Sequence, residues 1–367
     1  MRIAYSYRAF ATQFGGVSQY FTRLGSQLSQ LNVDVNFIAP ISQNVYLRSL
    51  PRDLVWGIKS EQFPPYSKKI INFLNAKISK IALSQLAPQI VHETYYPSPL
   101  FELYGPQKRV ITVFDMIHEK FPEYFPHGDS TIADKKNAID RADQVICISN
   151  KTRDDLLSIY SIPNEKISMI HLGFDAPLNS SISMSNEATL KKSNNLIYIG
   201  SREGYKNFRQ FLTAFSRSRL CRDFKLLIIG GGKLSSEELG LMISLGLNLN
   251  QIVHVSAGPH ELQRYYSDSA ALIYPSIYEG FGLPPLEAMS YGCPVISSNA
   301  GSMPEVLGDA ASYFDPMSTD SISDAIESVV YSPDTSRELS QRGLRQVNNY
   351  SWEKCAQQTK LLYESLI

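Results

Sequence analysis

Two carboxylates, Glu279 and Glu287, bracket the seven residues Gly280, Phe281, Gly282, Leu283, Pro284, Pro285 and Leu286. None of the seven carries a polar side chain, so the backbone N–H groups between the acids are open to a ligand. Carboxylates accept hydrogen bonds from hydroxyls, and bare N–H groups meet oxygens. Upstream, "GSREGYKNF" (Gly200 to Phe208) follows the apolar "LIYI" and leads into a helical stretch. Gly200 and Ser201 open this turn, and Arg202 and Lys206 project from it. A guanidinium fork beside an ammonium suits a diphosphate, and loop N–H groups at a helix N-terminus favour the same charge. The plainer reading is a solvated loop with two surface cations. Near the N-terminus, Gly15 and Gly16 in "FGGVSQYF" either bring backbone close to a ligand or make a tight strand–helix turn. Taken together, hydroxyls beside a diphosphate describe a nucleotide sugar.

Two commoner phosphate sites are excluded. A P-loop ends in Gly-Lys-Ser/Thr, which neither "GYKNF" nor "GGGKLSS" supplies with the upstream glycine. A dinucleotide fingerprint needs G-x-G-x-x-G, and Pro285 breaks it in "GFGLPP".

The elements that must hold these residues alternate between short apolar runs and helix-period segments. In the second half "NLIYIG", "FKLLIIGGG", "IVHVS", "AALIYPS" and "PVISS" read as strands, and in the first half "RIAYSY", "VDVNFIAP", "IVHET", "RVITVFD" and "QVICIS". Apolar on both faces with helices between, they predict parallel sheets covered on both sides. A helix from Val17 to Leu31 places Val17, Tyr20, Phe21, Leu24, Leu28 and Leu31 on one face. Pro284 and Pro285 suit the first turn of a helix ending before Gly292, which puts Glu287 in that turn, where its plainer role is to complement the macrodipole. The polar, Ser/Asn-rich stretch from Ala176 to Asn195 reads as a linker. The expected organisation is α/β: two doubly wound Rossmann-like domains, 1–178 and 193–349, facing a cleft. The amphipathic segment 350–367 is expected to pack back on the first domain.

The 367 residues suffice for about two domains. Thirty-five basic residues balance thirty-five acidic ones, so no global field draws the chain to nucleic acid. The four cysteines form no CxxC pair, and Cys147 and Cys293 sit in apolar runs as small buried hydrophobes. No signal peptide is visible at "MRIAYSY" and no apolar run is long enough to span a bilayer, which points to the cytoplasm. From Arg48 to Lys80 there are seven cations against two acids, and "YSKKIINFLNAKISKIALSQLA" sets Ile70, Leu74, Ile78 and Ile81 on a stripe beside lysines. Such a face either meets anionic lipid at the inner side of the cell membrane or packs on a domain with its basic side solvated.

"SIYEGFGLPPLEAMSYGCPVISSNAGSMPEVLGDAASYFDP" resembles the donor-binding segment of the family 4 retaining glycosyltransferases of GT-B fold, including their Glu-x7-Glu motif. "YIGSREGYKNF", "ADQVICISNKTRDDLLSIYSIPNEKISMIHLGFD" and "FGGVSQYF" agree in the same order, and "VHETYYPSP" and "VFDMIHEKFPEYFP" resemble the branch of O-antigen mannosyltransferases. The resemblance implies transfer of a hexosyl group, mannose from GDP-mannose by branch, from a GDP- or UDP-sugar to a glycan acceptor, lipid-linked, with retention. It implies no metal and no further cofactor. It gives Glu279 the donor-sugar hydroxyls, with the backbone of Phe281, Gly282 and Leu283 nearby. Glu287 would hold the ribose, and Arg202 and Lys206 would neutralise the diphosphate with help from Gly16. Many members carry His-Asp at a strand end where this chain has Phe114 and Asp115. His118 then either takes part of the missing role or is structural, and His92 is a candidate for lining the acceptor side. A nucleotide-sugar epimerase and a non-catalytic sugar-nucleotide-binding subunit are the competing readings.

Overall fold

The computed structural model describes residues 1–61, 63–64, 66–96, 107–175 and 193–367. The Ser/Asn-rich stretch 176–192 and the "PSP" at 97–99 lie outside them. The chain divides into two compact units: Met1–Gly173 with Tyr350–Ile367, and Phe174–Asn349.

The first unit is built on seven parallel strands: β1 Arg2–Tyr5, β2 Asp34–Ser42, β3 Val55–Lys59, β4 Ile90–Glu93, β5 Lys108–Val113, β6 Gln144–Cys147 and β7 Ile167–Met169. Their order is β3-β2-β1-β4-β5-β6-β7. β1 sits at the centre, with Ile3 opposite both Val35 and Ile90. β3 and β7 escape the sequence reading because they are short edges without a buried apolar run. The helix Gly16–Gln30 buries Tyr20, Phe21, Leu24 and Leu28, as its 3.6-residue period requires. The helix Trp352–Glu364 belongs to this unit and lies against the Gly16–Gln30 helix.

The second unit holds six parallel strands: β8 Ser193–Ile199, β9 Lys225–Ile229, β10 Ile252–Val255, β11 Ser269–Tyr274, β12 Val295–Ser298 and β13 Ala311–Phe314. β8 takes up residues that the sequence reads as the end of the linker. The order β10-β9-β8-β11-β12-β13 means that the chain winds outward from β8, returns, and winds the other way from β11. The gap between the carboxyl ends of β8 and β11 is therefore a topological switch point, where open α/β sheets bind ligands. The Phe208–Arg217 helix packs Phe208, Phe211, Leu212 and Phe215 into the core beneath it.

Candidate functional site

The two sequence features rich in chemistry flank that switch point. Gly200 follows β8 with φ +130°, in the region that favours glycine, and its N–H donates to the Ile229 carbonyl at 2.9 Å. The turn after it is pinned at several points. The Tyr198 hydroxyl donates to the Ser201 carbonyl at 2.5 Å, leaving Ser201 itself exposed. Ile277 N–H donates to the Tyr205 carbonyl at 2.8 Å. Asn207, at φ +59°, donates its amide to the carbonyls of Pro275 (3.1 Å) and Pro316 (2.8 Å). This turn carries Lys206 to Glu279, where Nζ and Oε1 stand 2.7 Å apart. The Tyr274 hydroxyl, buried at the end of β11, also hydrogen-bonds Glu279, and the rings of Tyr205 and Tyr274 lie 5.2 and 5.7 Å from Nζ. A cation and an anion 73 residues apart in sequence thus form one largely buried pair.

Arg202 requires a correction. Its guanidinium is buried, where the sequence suggested a projecting side chain, and its bonds are made within the second unit. It donates to the carbonyls of Gly230 (2.7 Å), Gly231 (3.2 Å) and Lys233 (3.0 Å) and pairs with Glu238 through Nε and Nη2. Glu238 also closes a capping box with Ser235 at the start of the Ser236–Ser244 helix. Burial pushes the Glu238 carboxyl up, but the bonds from Arg202 and Ser235 outweigh it and hold it below the ordinary range. Arg202 is therefore a clamp that fixes the glycine turn after β9 to the turn after β8. Gly231 has to be glycine there: at φ +69°, a Cβ would sit 2.6 Å from the Arg202 guanidinium.

The stretch between the two acids is supported from behind. Ser302 Oγ donates to the carbonyls of Glu279 (3.0 Å) and Phe281 (3.1 Å), and its N–H also reaches Glu279 O. Gly301 backs onto the same turn, where a Cβ would stand 2.7 Å from Glu279 N. Phe281 is buried, and Gly282, at φ +103°, caps the helix Leu283–Ser290. The helix starts at Leu283, one residue before the prolines, so Glu287 lies beyond the first turn rather than in it. Instead of complementing the dipole, it accepts from the Tyr266 hydroxyl at 3.3 Å. Burial raises the Glu287 pKa above the ordinary carboxylate range, and the Tyr266 bond only partly offsets it.

Gly15 and Gly16 form the start of the Gly16–Gln30 helix in the first unit. A Cβ on Gly16 would meet nothing within 4 Å, so no crowding demands glycine there. Asp115, after β5, accepts from Ile117 N–H at 3.1 Å, and its carbonyl accepts from the buried Lys135 (2.9 Å), which also pairs with Glu119 at 2.7 Å. His118 stacks on Phe125 with ring centres 3.7 Å apart, and its Nε2 lies 3.9 Å from Asp129. Burial and then Lys135 lower its pKa, which favours the neutral imidazole. Phe114 packs edge-on to Tyr20.

His92 also requires a correction. It is fully buried, its Nδ1 is 2.6 Å from Tyr363 Oη and its Nε2 2.9 Å from Thr112 Oγ1. Burial lowers its pKa to about 3. It fastens the Trp352–Glu364 helix to the sheet and does not line a site. Sequence reasoning missed Tyr274, Tyr266, Ser302 and Asn207. Only Asn207 carries a local signal, since asparagine is among the few residues that tolerate the left-handed region.

Residues 14–177 match the family described as Glycosyltransferase Family 4, and residues 181–346 the one described as Glycosyl transferases group 1. O-antigen chain mannosyltransferase B of Escherichia coli is 31% identical over 287 residues, covering 74% of this chain and 74% of its own length. O-antigen chain mannosyltransferase RfbU of Salmonella typhimurium is 28% identical over 322 residues, covering 86% and 80%. Among solved structures, Anabaena HepE in complex with UDP and glucose superposes with a TM-score of 0.72 at 14% identity, over 100% of both chains. The chain belongs to the family 4 glycosyltransferases and has the GT-B fold.

Proposed function

We propose that the protein transfers a mannosyl group from GDP-mannose to a hydroxyl of a lipid-linked glycan, with retention, in the assembly of a cell-surface polysaccharide of O-antigen type. The observation that carries the reading is the Lys206–Glu279 pair at the β8/β11 switch point. The sugar and pathway rest on the relatives that are O-antigen mannosyltransferases, and a nucleoside diphosphate at the site agrees with the UDP bound by HepE.

In this reading Glu279 accepts from donor-sugar hydroxyls, Glu287 from the ribose, and the turn at Phe281, Gly282 and Leu283 lies against the sugar. Lys206 faces the diphosphate. As the bond from the anomeric carbon to the phosphate oxygen breaks, negative charge collects on the leaving diphosphate while the ring takes oxocarbenium character. The acceptor hydroxyl oxygen then bonds the same face of the anomeric carbon and passes its proton to the departing diphosphate oxygen. A preorganised ammonium acts where the charge develops, and losing one such group costs on the order of 10²–10³ in rate. Lys206→Ala should lower kcat by about that factor. Arg202 acts indirectly, by holding the glycine turn. The reaction uses no metal in this reading, so EDTA should leave turnover unchanged.

The proposal places the protein in the cytoplasm, peripheral to the inner face of the cell membrane through the Lys68–Leu86 helix. This helix exposes Ile70, Phe73, Leu74 and Ile81 among Lys69, Lys77 and Lys80. No helix among the described residues is long and apolar enough to cross a membrane.

A thermal-shift screen over GDP-, UDP-, dTDP- and ADP-sugars identifies the donor, since a bound donor raises Tm by mass action. Transfer is then measured with and without a glycan acceptor, and the anomer of the product determined by NMR. Stabilisation by GDP-mannose and an α-linked product are expected. Stabilisation by none of the four, or conversion of the donor without acceptor, would overturn the reading.

A further inference from the structure

We infer that Glu279 sets the affinity for the spent nucleoside diphosphate, because it holds the ammonium that the diphosphate needs. The inference rests on the donor-site reading above and adds how the same site releases its product.

Of the two cations in the 200–207 turn, Arg202 is committed to the Gly230–Lys233 carbonyls and Glu238. Lys206 remains to meet phosphate, and its Nζ rests 2.7 Å from Glu279 Oε1. Side-chain exposures of 16% and 11% mean that water weakens this pair only partly. The turn cannot swing away as a whole, since Asn207, Ile277 and Tyr198 tie its backbone to the neighbouring loops. Any exchange of partners occurs at the side chains.

A nucleoside diphosphate entering alone then meets one of two penalties. If Lys206 turns to the phosphates, Glu279 loses its counter-charge, and the neutral Tyr274 hydroxyl that stays on it does not replace that charge. If Lys206 stays shared, a carboxylate sits beside the diphosphate and repels it. A nucleotide sugar avoids both, because its sugar hydroxyls donate to Glu279 as Lys206 is drawn to the phosphates. Sugar and diphosphate are thus coupled through one ion pair, and the coupling is reciprocal. Once the sugar has left on the acceptor, the compensation goes with it, and the remaining diphosphate is held weakly.

The test is calorimetric titration of the donor found by the screen, and of its nucleoside diphosphate, into the wild type, Glu279→Gln and Tyr274→Phe. Glu279→Gln keeps the shape and removes the charge. It should bind the nucleoside diphosphate about 5- to 10-fold more tightly, the low end of measured site coupling, while binding the intact donor no better. Product inhibition should strengthen in proportion. Tyr274→Phe keeps the charge and should bind the nucleoside diphosphate no more tightly than the wild type. Unchanged or weaker nucleoside diphosphate binding by a folded Glu279→Gln would overturn the inference, as would tightening by Tyr274→Phe. Failure of the donor-site reading looks different: the wild type would bind neither ligand.

Discussion

Glu287, proposed above to hold the ribose, shows what burying a carboxylate costs the protein that carries it. Burial raises its pKa, so the folded state holds the proton more firmly than the unfolded state does. Below the ordinary glutamate pKa both states are protonated and the group is neutral in its effect. Above it the unfolded chain ionises first, and stability is lost as pH rises through the folded value. Glu287→Gln should therefore stabilise the ligand-free protein at pH 7–8 by about 0.5–2 kcal/mol, the common size of a single stabilising substitution. That gain should fade on acidification below the ordinary glutamate range, as followed by thermal melts across pH. The same substitution should weaken donor binding by about 1.5–3 kcal/mol, the value of hydrogen bonds to a charged group. Glu279, Glu287 and Lys206 stood out in the sequence because their types and spacing state a chemistry, and the structure brings Lys206 and Glu279 together. It misled at Arg202, because three of its acceptors are backbone carbonyls that no side chain announces. His92 misled for a related reason: its partner Tyr363 lies 271 residues away.

Among the elements, the Lys68–Leu86 helix shows where periodicity is ambiguous. The stripe through Ile70, Leu74 and Ile81 points outward, with Ile70 64% and Ile81 57% exposed, and Ile78 half-buried beside it. The inner face is Ile71, Asn75, Ala76, Ser79, Ala82 and Leu83. Small side chains let the helix sit close to β2, where Pro40 has no N–H and the β2–β3 register shifts between Ile38 and Ile41. Asn75 fills that break by bonding both the N–H (2.9 Å) and the carbonyl (3.0 Å) of Ile41. A polar residue on the buried face is invisible to an apolar count. With the inner face satisfied this way, the outer apolar stripe stays largely exposed and lies beside lysines. The protein should co-sediment with phosphatidylglycerol vesicles at low salt and less so at high salt. Ile70→Glu with Leu74→Glu should abolish the binding while leaving the melting temperature within a degree or two. Absence of wild-type binding at low salt would remove the membrane from the proposal.

At the scale of the whole molecule, alternation of apolar runs and helices sufficed to read two parallel sheets, because strands buried on both faces are nearly continuous in apolar residues. The strand order within each sheet was not legible, since the winding direction after β8 or β11 leaves no mark in composition. The union of residues 350–367 with the first unit rests on contacts that can be tested. Tyr363→Phe removes the partner of buried His92 Nδ1 and should cost about 1–3 kcal/mol in unfolding free energy, measured by urea denaturation with transfer activity recovered in the folded fraction. The same arrangement governs the order of synthesis. At about 5–20 residues per second, unit 2 occupies the ribosome for roughly 9 to 35 seconds between Gly173 and Tyr350. Throughout that interval, until the Trp352–Glu364 helix is made, the rings of Tyr20 and His92 lack the cover that Trp352 and Tyr363 give them in the folded unit.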